Sequence, residues 1–202
     1  MLLKTYGQDL RPQQTRHIVE CLRQKGLIVY PTDTVYAVGT ALSNIQSLDR
    51  LAQIKLHGKK DLSYTLLCRD ISDLSRYTPP LSNTLFRFMK GHVPGPFTFV
   101  LNANHEVPRL FQGKKKTIGI RIPDHPVVQQ ILEAFGEPLL STSLDAPEDE
   151  PEYLTDPELI HERYNKHVDL VIDGGIGKIQ YSTVLDCTGE EIALIRQGIG
   201  IL

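Results

Sequence analysis

The chain has 202 residues, 41% hydrophobic and 23% charged, enough to bury one sizeable core as a single domain over residues 1–202. Its 22 lysines and arginines against 24 acidic residues leave a formal net charge of -2, which excludes a strongly basic, nucleic-acid-coating role and leaves any RNA contact to a local patch. Cys21, Cys68 and Cys187 are odd in number and lack CxxC spacing, which argues against a disulfide framework and a structural zinc site. A reducing, cytoplasmic setting is expected, and no apolar run approaches the roughly 18 residues of a membrane span.

The first residues, "MLLKTYGQDLRPQQ", turn polar within four positions and suggest no element. "RPQQTRHIVECLRQKG" places Ile18, Val19 and Leu22 on one helical face and stops at Gly26. "LIVYPTDTVYAVG" then reads as a buried strand with Pro31, Thr32, Asp33, Thr34 and Tyr36 at its mouth. A helix is expected over "SNIQSLDRLAQIKLHGKK", capped by Ser43, presenting Ile45, Leu48, Leu51, Ala52 and Ile54, and delivering Lys55 near its end. "YTLLCRD" and "GPFTFVLNA" read as strands on either side of the helix "SNTLFRFMKG". In "KKKTIGIRIPDH", Ile118, Ile120 and Ile122 alternate with outward Thr117, Gly119 and Arg121. The helix "HPVVQQILEAFG", the strand "PLLSTSL", an acidic loop "DAPEDEPEY", the helix "DPELIHERYNKH" and the strand "DLVIDGG" follow. "STVLDCT" and "ALIRQG" read as a closing β-pair, and the alternation as a whole predicts a mixed α/β sheet.

Small hydroxyls and single cations recur at or along several of these strands: Thr32, Thr34, Thr65, Thr117, Ser141, Ser143, Ser182 and Thr183, with Arg121 and Arg196. Each alone is ordinary strand or cap chemistry. Together, at the crevice where open α/β sheets bind ligands, they suit a small zwitterion and a phosphate chain. Arginine forks onto carboxylate or phosphate, while hydroxyls fix orientation at little desolvation cost.

"GLIVYPTDTVYAVG", the helix reaching Lys55, "HVPGPFTFVL", "TIGIRIPDHP", "EPLLSTSL", "VDLVIDGG", "STVLD" and "IRQG" occur in an order that resembles the YrdC/YciO family over nearly the whole chain, with wording nearer the YciO branch. The resemblance implies a single α/β domain, a twisted mixed parallel/antiparallel open sheet flanked by helices, with a concave, basic ligand-binding face. It also implies synthesis of threonylcarbamoyl-AMP from L-threonine, bicarbonate and ATP, with release of pyrophosphate, for tRNA modification; magnesium is expected with the ATP. Carried over by motif, Thr34, Cys68, Arg121, Ser141 and Ser182 match the amino-acid side of the site. Lys55, His57, Thr117, Ser143 and Arg196 match the nucleotide side, and Lys55 and Arg121 are the cations matched to catalysis. Such chemistry needs no covalent protein intermediate, only alignment of a weak nucleophile with the α-phosphate and neutralisation of charge.

Three positions depart from the family pattern. His57 stands in place of an arginine, Asp145 in place of an asparagine, and Cys68 in place of a histidine. His57 would be mostly neutral at an ordinary pKa of about 6.5, and Asp145 puts an anion beside the expected triphosphate. Lys59 and Lys60 could supply charge but not the bidentate fork. Two function classes therefore stay open: an adenylating enzyme, and a non-catalytic module binding nucleotide or double-stranded RNA. The RNA reading rests on Lys55, Lys59, Lys60, Arg69, Arg87, Lys90, Arg109, Lys114, Lys115, Lys116 and Arg121 sharing the concave face.

Other constellations are weaker. His92, His105, His125, His161 and His167 lack HExxH spacing and read as dispersed surface residues. "DGGIG" is followed by no GK[ST] and reads as a turn. Cys68 and Cys187, in apolar strands, read as inert core thiols despite the position Cys68 holds in the family match.

Overall fold

The computed structural model describes residues 1–5, 9–47, 50–51, 54, 64–112, 116–145 and 150–202. Their strands are β1 (Leu2–Lys4), β2 (Ile28–Tyr30), β3 (Ala37–Ala41), β4 (Thr65–Leu67), β5 (Phe97–Asn102), β6 (Thr117–Arg121), β7 (Leu139–Ser143), β8 (Leu170–Asp173), β9 (Thr183–Asp186) and β10 (Ala193–Arg196). They form one sheet in the order β1-β8-β2-β3-β7-β4-β6-β5-β9-β10. Pairing is mixed: β1 with β8, β8 with β2, β4 with β6 and β5 with β9 are parallel, and the other neighbours antiparallel. The expected mixed open α/β sheet is the one found.

Four α-helices among the described residues are α1 (Pro12–Arg23), α2 (Asn83–Lys90), α3 (Pro126–Phe135) and α4 (Pro157–Tyr164). Their starts are local chemistry. Proline occupies the first turn of α1, α3 and α4, where a missing N–H costs nothing. The Arg11 N–H donates to Gln14 Oε1 at 2.8 Å, Ser82 Oγ accepts from the Leu85 N–H, and an Asp156 carboxylate oxygen accepts from the Glu158 N–H. Gly136, at φ 78°, ends α3 in the left-handed region that a side chain would strain.

Cross-strand register sorts the sheet into two faces. Ile28, Tyr30, Ala37, Leu67, Leu139, Leu170 and Ile172 pack under Ile18 and Leu22 of α1 and Val127, Val128, Ile131 and Leu132 of α3. Residues of the other parity, including Val29, Val38, Leu66, Phe99, Ile118, Ile120, Leu140 and Leu185, pack under Met89 of α2 and Ile160 and Tyr164 of α4. Helices α1 and α3 cover only the β8-β2-β3-β7-β4 end of their face. Outside that footprint, the residues that register places on the same face are mostly small or polar and partly exposed: Thr65, Thr117, Gly119, Ser143 and Asp186, with Val100 and Val184 between them.

Three local expectations change. Leu2–Lys4, read as featureless, is a parallel edge strand on β8. The opening stretch is two antiparallel strands, β2 and β3, so its polar residues form the turn between them. After Ala41 a 3-10 turn over Ile45–Ser47 comes before helical residues, with Asn44 rather than Ser43 buried there. Lys55, His57, Lys59 and Lys60 lie outside the described residues.

Candidate ligand-binding face

The turn after β2 is locked by Thr32. Its Oγ1 donates to the Val35 carbonyl at 2.8 Å, accepts from the Thr34 N–H at 3.0 Å and lies 3.1 Å from Thr34 Oγ1. Thr34 is fully buried, and this lock points Asp33 toward the end of β6. There Arg121 Nη2 donates to Asp33 Oδ1 at 2.5 Å, with both side chains more than nine-tenths buried. Arg121 was expected to point outward; it lies on the predicted face but beneath the turn, held by an acid 88 positions earlier.

Next along the face, Tyr30 Oη donates to Ser141 Oγ at 2.6 Å. A Cβ on Gly39 would sit 2.7 Å from Tyr30 Oη, so the bare glycine makes room for that bond. Ser141 pairs across to Thr65, and Thr65 to Gly119. A Cβ on Gly119 would sit 2.9 Å from Thr65 Oγ1 and 3.3 Å from Thr98 Cγ2, so two threonines lean over exposed backbone at this point. Thr98 Oγ1 and Ser182 Oγ are 2.8 Å apart. Ser182 in turn receives Arg196: Nη2 and Nε donate to its carbonyl at 2.9 and 3.3 Å. The Arg196 guanidinium lies over the Tyr181 ring at 5.2 Å.

The result is a stripe of hydroxyls and bare backbone running from Arg121 to Arg196. Burial lowers the Arg196 pKa, and the like charge of Arg121 lowers it further, with Tyr181 acting the other way. The Arg121 charge therefore reaches Arg196 along the stripe. Asp145 lies close enough to Tyr181 to add to the rise that burial imposes on its phenol, so an acid sits at the Arg196 end.

Of the residues matched at sequence level, Thr34, Arg121, Ser141, Ser143, Thr117, Ser182 and Arg196 fall on or beside this stripe. Cys68 does not. It is fully buried in the core of the opposite face, where burial pushes its thiol well above the usual value. Cys187 is likewise buried, its thiol pushed up to about 11. Thr183 is fully buried too, its Oγ1 donating to the Gly200 carbonyl at 2.7 Å. Arg87 and Lys90 sit on α2 over the opposite face and do not join Arg121 and Arg196. Asp33 was set at the mouth of the opening strand but given no site role, and Thr98 and Tyr181 were not singled out. Thr98 carried a signal as the polar member of the alternating Phe97-Thr98-Phe99.

His125, expected at the surface, is half-buried at the start of α3, with its Nδ1 unpartnered. Burial lowers its pKa below the usual 6.5; Asp33 and Asp124 oppose that shift, and Lys178 adds to it. A depressed folded pKa means that the unfolded chain takes up the proton more readily. His125 should therefore contribute stability that is full above pH 6.5 and lost as pH falls below that value. Urea denaturation of wild type and His125→Gln at pH 7.5 and 5.5 checks this. The wild type should lose more stability on acidification than the variant does.

Sequence and structure comparisons agree with this architecture. The Sua5/YciO/YrdC family profile, described as "Telomere recombination", matches residues 20–198. The chain belongs to this family. Within the family, it is 44% identical over 192 residues to YciO of Escherichia coli strain K12, covering 94% of this chain and 92% of that one. The crystal structure of E. coli YciO superposes with a TM-score of 0.90 at 39% identity, covering 100% of this chain and 96% of that one. A more distant family member, the threonylcarbamoyl-AMP synthase of Halorhodospira halophila, is 29% identical over 173 residues, 86% of this chain and 89% of its own. P. abyssi Sua5 complexed with L-threonine shares the fold at a TM-score of 0.85 and 22% identity, over 98% of this chain and 57% of that one. Among the described residues, no helix is long and apolar enough to cross a membrane.

Proposed function

We propose that the stripe between Arg121 and Arg196 binds an L-threonine-like amino acid at the Arg121 end and ATP at the Arg196 end, and that the protein is a threonylcarbamoyl-AMP synthase-type enzyme. The observation that carries this reading is the run of hydroxyls and bare backbone that joins the Asp33-held Arg121 to the Ser182-held Arg196 on one face of the sheet. Arg121 supplies a carboxylate partner and Ser141 orients the amino acid beside it; Ser182, bonded to Arg196, meets the amino acid where it adjoins the nucleotide, and Thr117, Ser143 and Arg196 face the nucleotide. Family relatives named as threonylcarbamoyl-AMP synthases, and a Sua5 structure with L-threonine, support the choice of ligands.

The reaction condenses the threonine amine with bicarbonate, losing water, to give a carbamate. A carbamate oxygen then attacks the α-phosphorus of ATP, and pyrophosphate leaves. Nothing in these steps needs a protein nucleophile; alignment and cations suffice. Magnesium would enter with the triphosphate, whose oxygens are hard ligands of the kind it prefers.

Incubation with ATP, labelled bicarbonate and each amino acid tests the reading. A carbamoyl-adenylate detected by mass, with pyrophosphate released only when both amino acid and bicarbonate are present, is the expected result. A second reading, a nucleotide- or double-stranded-RNA-binding module without turnover, rests on Asp145, an acid beside Tyr181 where the charge that develops in phosphoryl transfer would have to be neutralised. Nucleotide or RNA binding without pyrophosphate release would select it.

A further inference from the structure

The ion pair beneath the β2–β3 turn is incomplete in an informative way. Asp33 and Arg121 are 9% and 7% exposed, yet they share a single bond, Nη2 to Oδ1. Asp33 Oδ2 and Arg121 Nε are both buried and have no hydrogen-bond partner. A buried carboxylate beside arginine ordinarily closes into a two-bond fork, and a buried polar atom left unpaired is costly. The Thr32 lock fixes where Asp33 sits, so the open geometry is set by the backbone of the turn. His125 Nδ1, near enough to feel the Asp33 charge, is a third unpartnered buried polar atom in the same corner.

One spare anionic acceptor beside one spare cationic donor is complementary to a zwitterion. We infer that Asp33 and Arg121 together form the receptor for the head group of an α-amino acid, with Asp33 Oδ2 accepting from the ammonium while Arg121 holds the carboxylate. Asp33 is then the residue that discriminates an amino acid from the same molecule without its amino group. A carboxylate ligand lacking the ammonium would leave Asp33 Oδ2 unpaired and facing another anion. The inference rests on the amino-acid reading of the Arg121 end, and deepens it by assigning the ammonium.

The test is a titration of two ligands against three proteins. L-Threonine and its des-amino analogue 3-hydroxybutyrate are titrated, with ATP present, into wild type, Asp33→Asn and Asp33→Glu, each first checked for a native circular dichroism spectrum. Wild type should prefer threonine by about tenfold or more, the scale of one charge-assisted contact. In Asp33→Asn, threonine binding should weaken about tenfold while 3-hydroxybutyrate binding holds or improves, so the preference collapses; Asp33→Glu should keep part of it. If both ligands weaken by the same factor in Asp33→Asn, Asp33 only steadies Arg121 and the inference is overturned. If wild type binds no amino acid at all, the failure lies with the reading of the site itself, which removes the inference with it. An unchanged preference in Asp33→Asn also overturns it.

Discussion

Arg121→Ala should destabilise the fold by about 3–5 kcal/mol, the cost of leaving a buried charge without its partner. The substitution removes the guanidinium from Asp33, whose carboxylate is more than nine-tenths buried and has no other hydrogen bond to Oδ2. Equilibrium urea unfolding measures the loss. Asp33→Ala combined with Arg121→Met should recover most of it, because replacing both members of a buried pair by apolar groups is often neutral. Amino-acid binding should be absent from the double variant all the same. A stable single variant, or a double variant as unstable as the single, would show that solvent already reaches the pair. Recovery of binding together with stability would remove Arg121 from the site.

The same pair shows where the sequence stopped being legible. The alternation of Ile118, Ile120 and Ile122 placed Arg121 on the face opposite the isoleucines, and the structure keeps it there. Its burial came from Asp33, 88 positions away, and no local pattern encodes a contact of that range. The PTDT segment read as the mouth of one strand because apolar residues flank it on both sides; the antiparallel pairing of Ile28 with Gly39 and Tyr30 with Ala37 makes it a turn. Leu2–Lys4 escaped because a three-residue edge strand leaves too little alternation to recognise, its place in the sheet coming from parallel pairing with Val171, Ile172 and Asp173. His125 looked dispersed in sequence, and only the docking of α3 beside the Asp33 turn buries it. The hydroxyls were the opposite case. Thr117, Ser141 and Ser143 sit on strands whose registers bring them to one face, and Ser182 directly before β9 continues it, so period-2 reading and the family resemblance pointed to the same stripe. Thr183 shows the limit of counting hydroxyls: one step along β9, it faces the core.

At the other end of the stripe, Arg196 and Asp145 oppose one another, and their substitutions should move nucleotide affinity in opposite directions. Arg196→Ala removes a cation held over Tyr181 and bonded to the Ser182 carbonyl. A charged hydrogen bond to phosphate is worth about 1.5–3 kcal/mol, so ATP should bind roughly 10- to 100-fold more weakly. Threonine affinity measured without nucleotide should change much less, since Arg121 and Ser141 are untouched and Ser182 keeps its contact with Thr98. Asp145→Asn removes an anion near the same phenol. At an effective dielectric near 20, a unit charge about 6 Å from a phosphate is worth roughly 3 kcal/mol before solvent and salt reduce it, so a gain of a few-fold to tenfold in ATP affinity is expected. Calorimetry at two salt concentrations separates charge from shape. Both effects should shrink at the higher concentration, since each is a long-range electrostatic term screened by ions, whereas a packing change would persist. If Arg196→Ala leaves ATP binding intact while lowering the melting temperature, the arginine serves only to staple β10 to the loop before β9, and the phosphates must lie elsewhere on the face. If Asp145→Asn weakens ATP instead, the acid takes part in holding the nucleotide, through the metal that accompanies the triphosphate or through the ribose hydroxyls. Asparagine at this position in the wider family would then mark a different way of binding the nucleotide, not a stronger version of the same one.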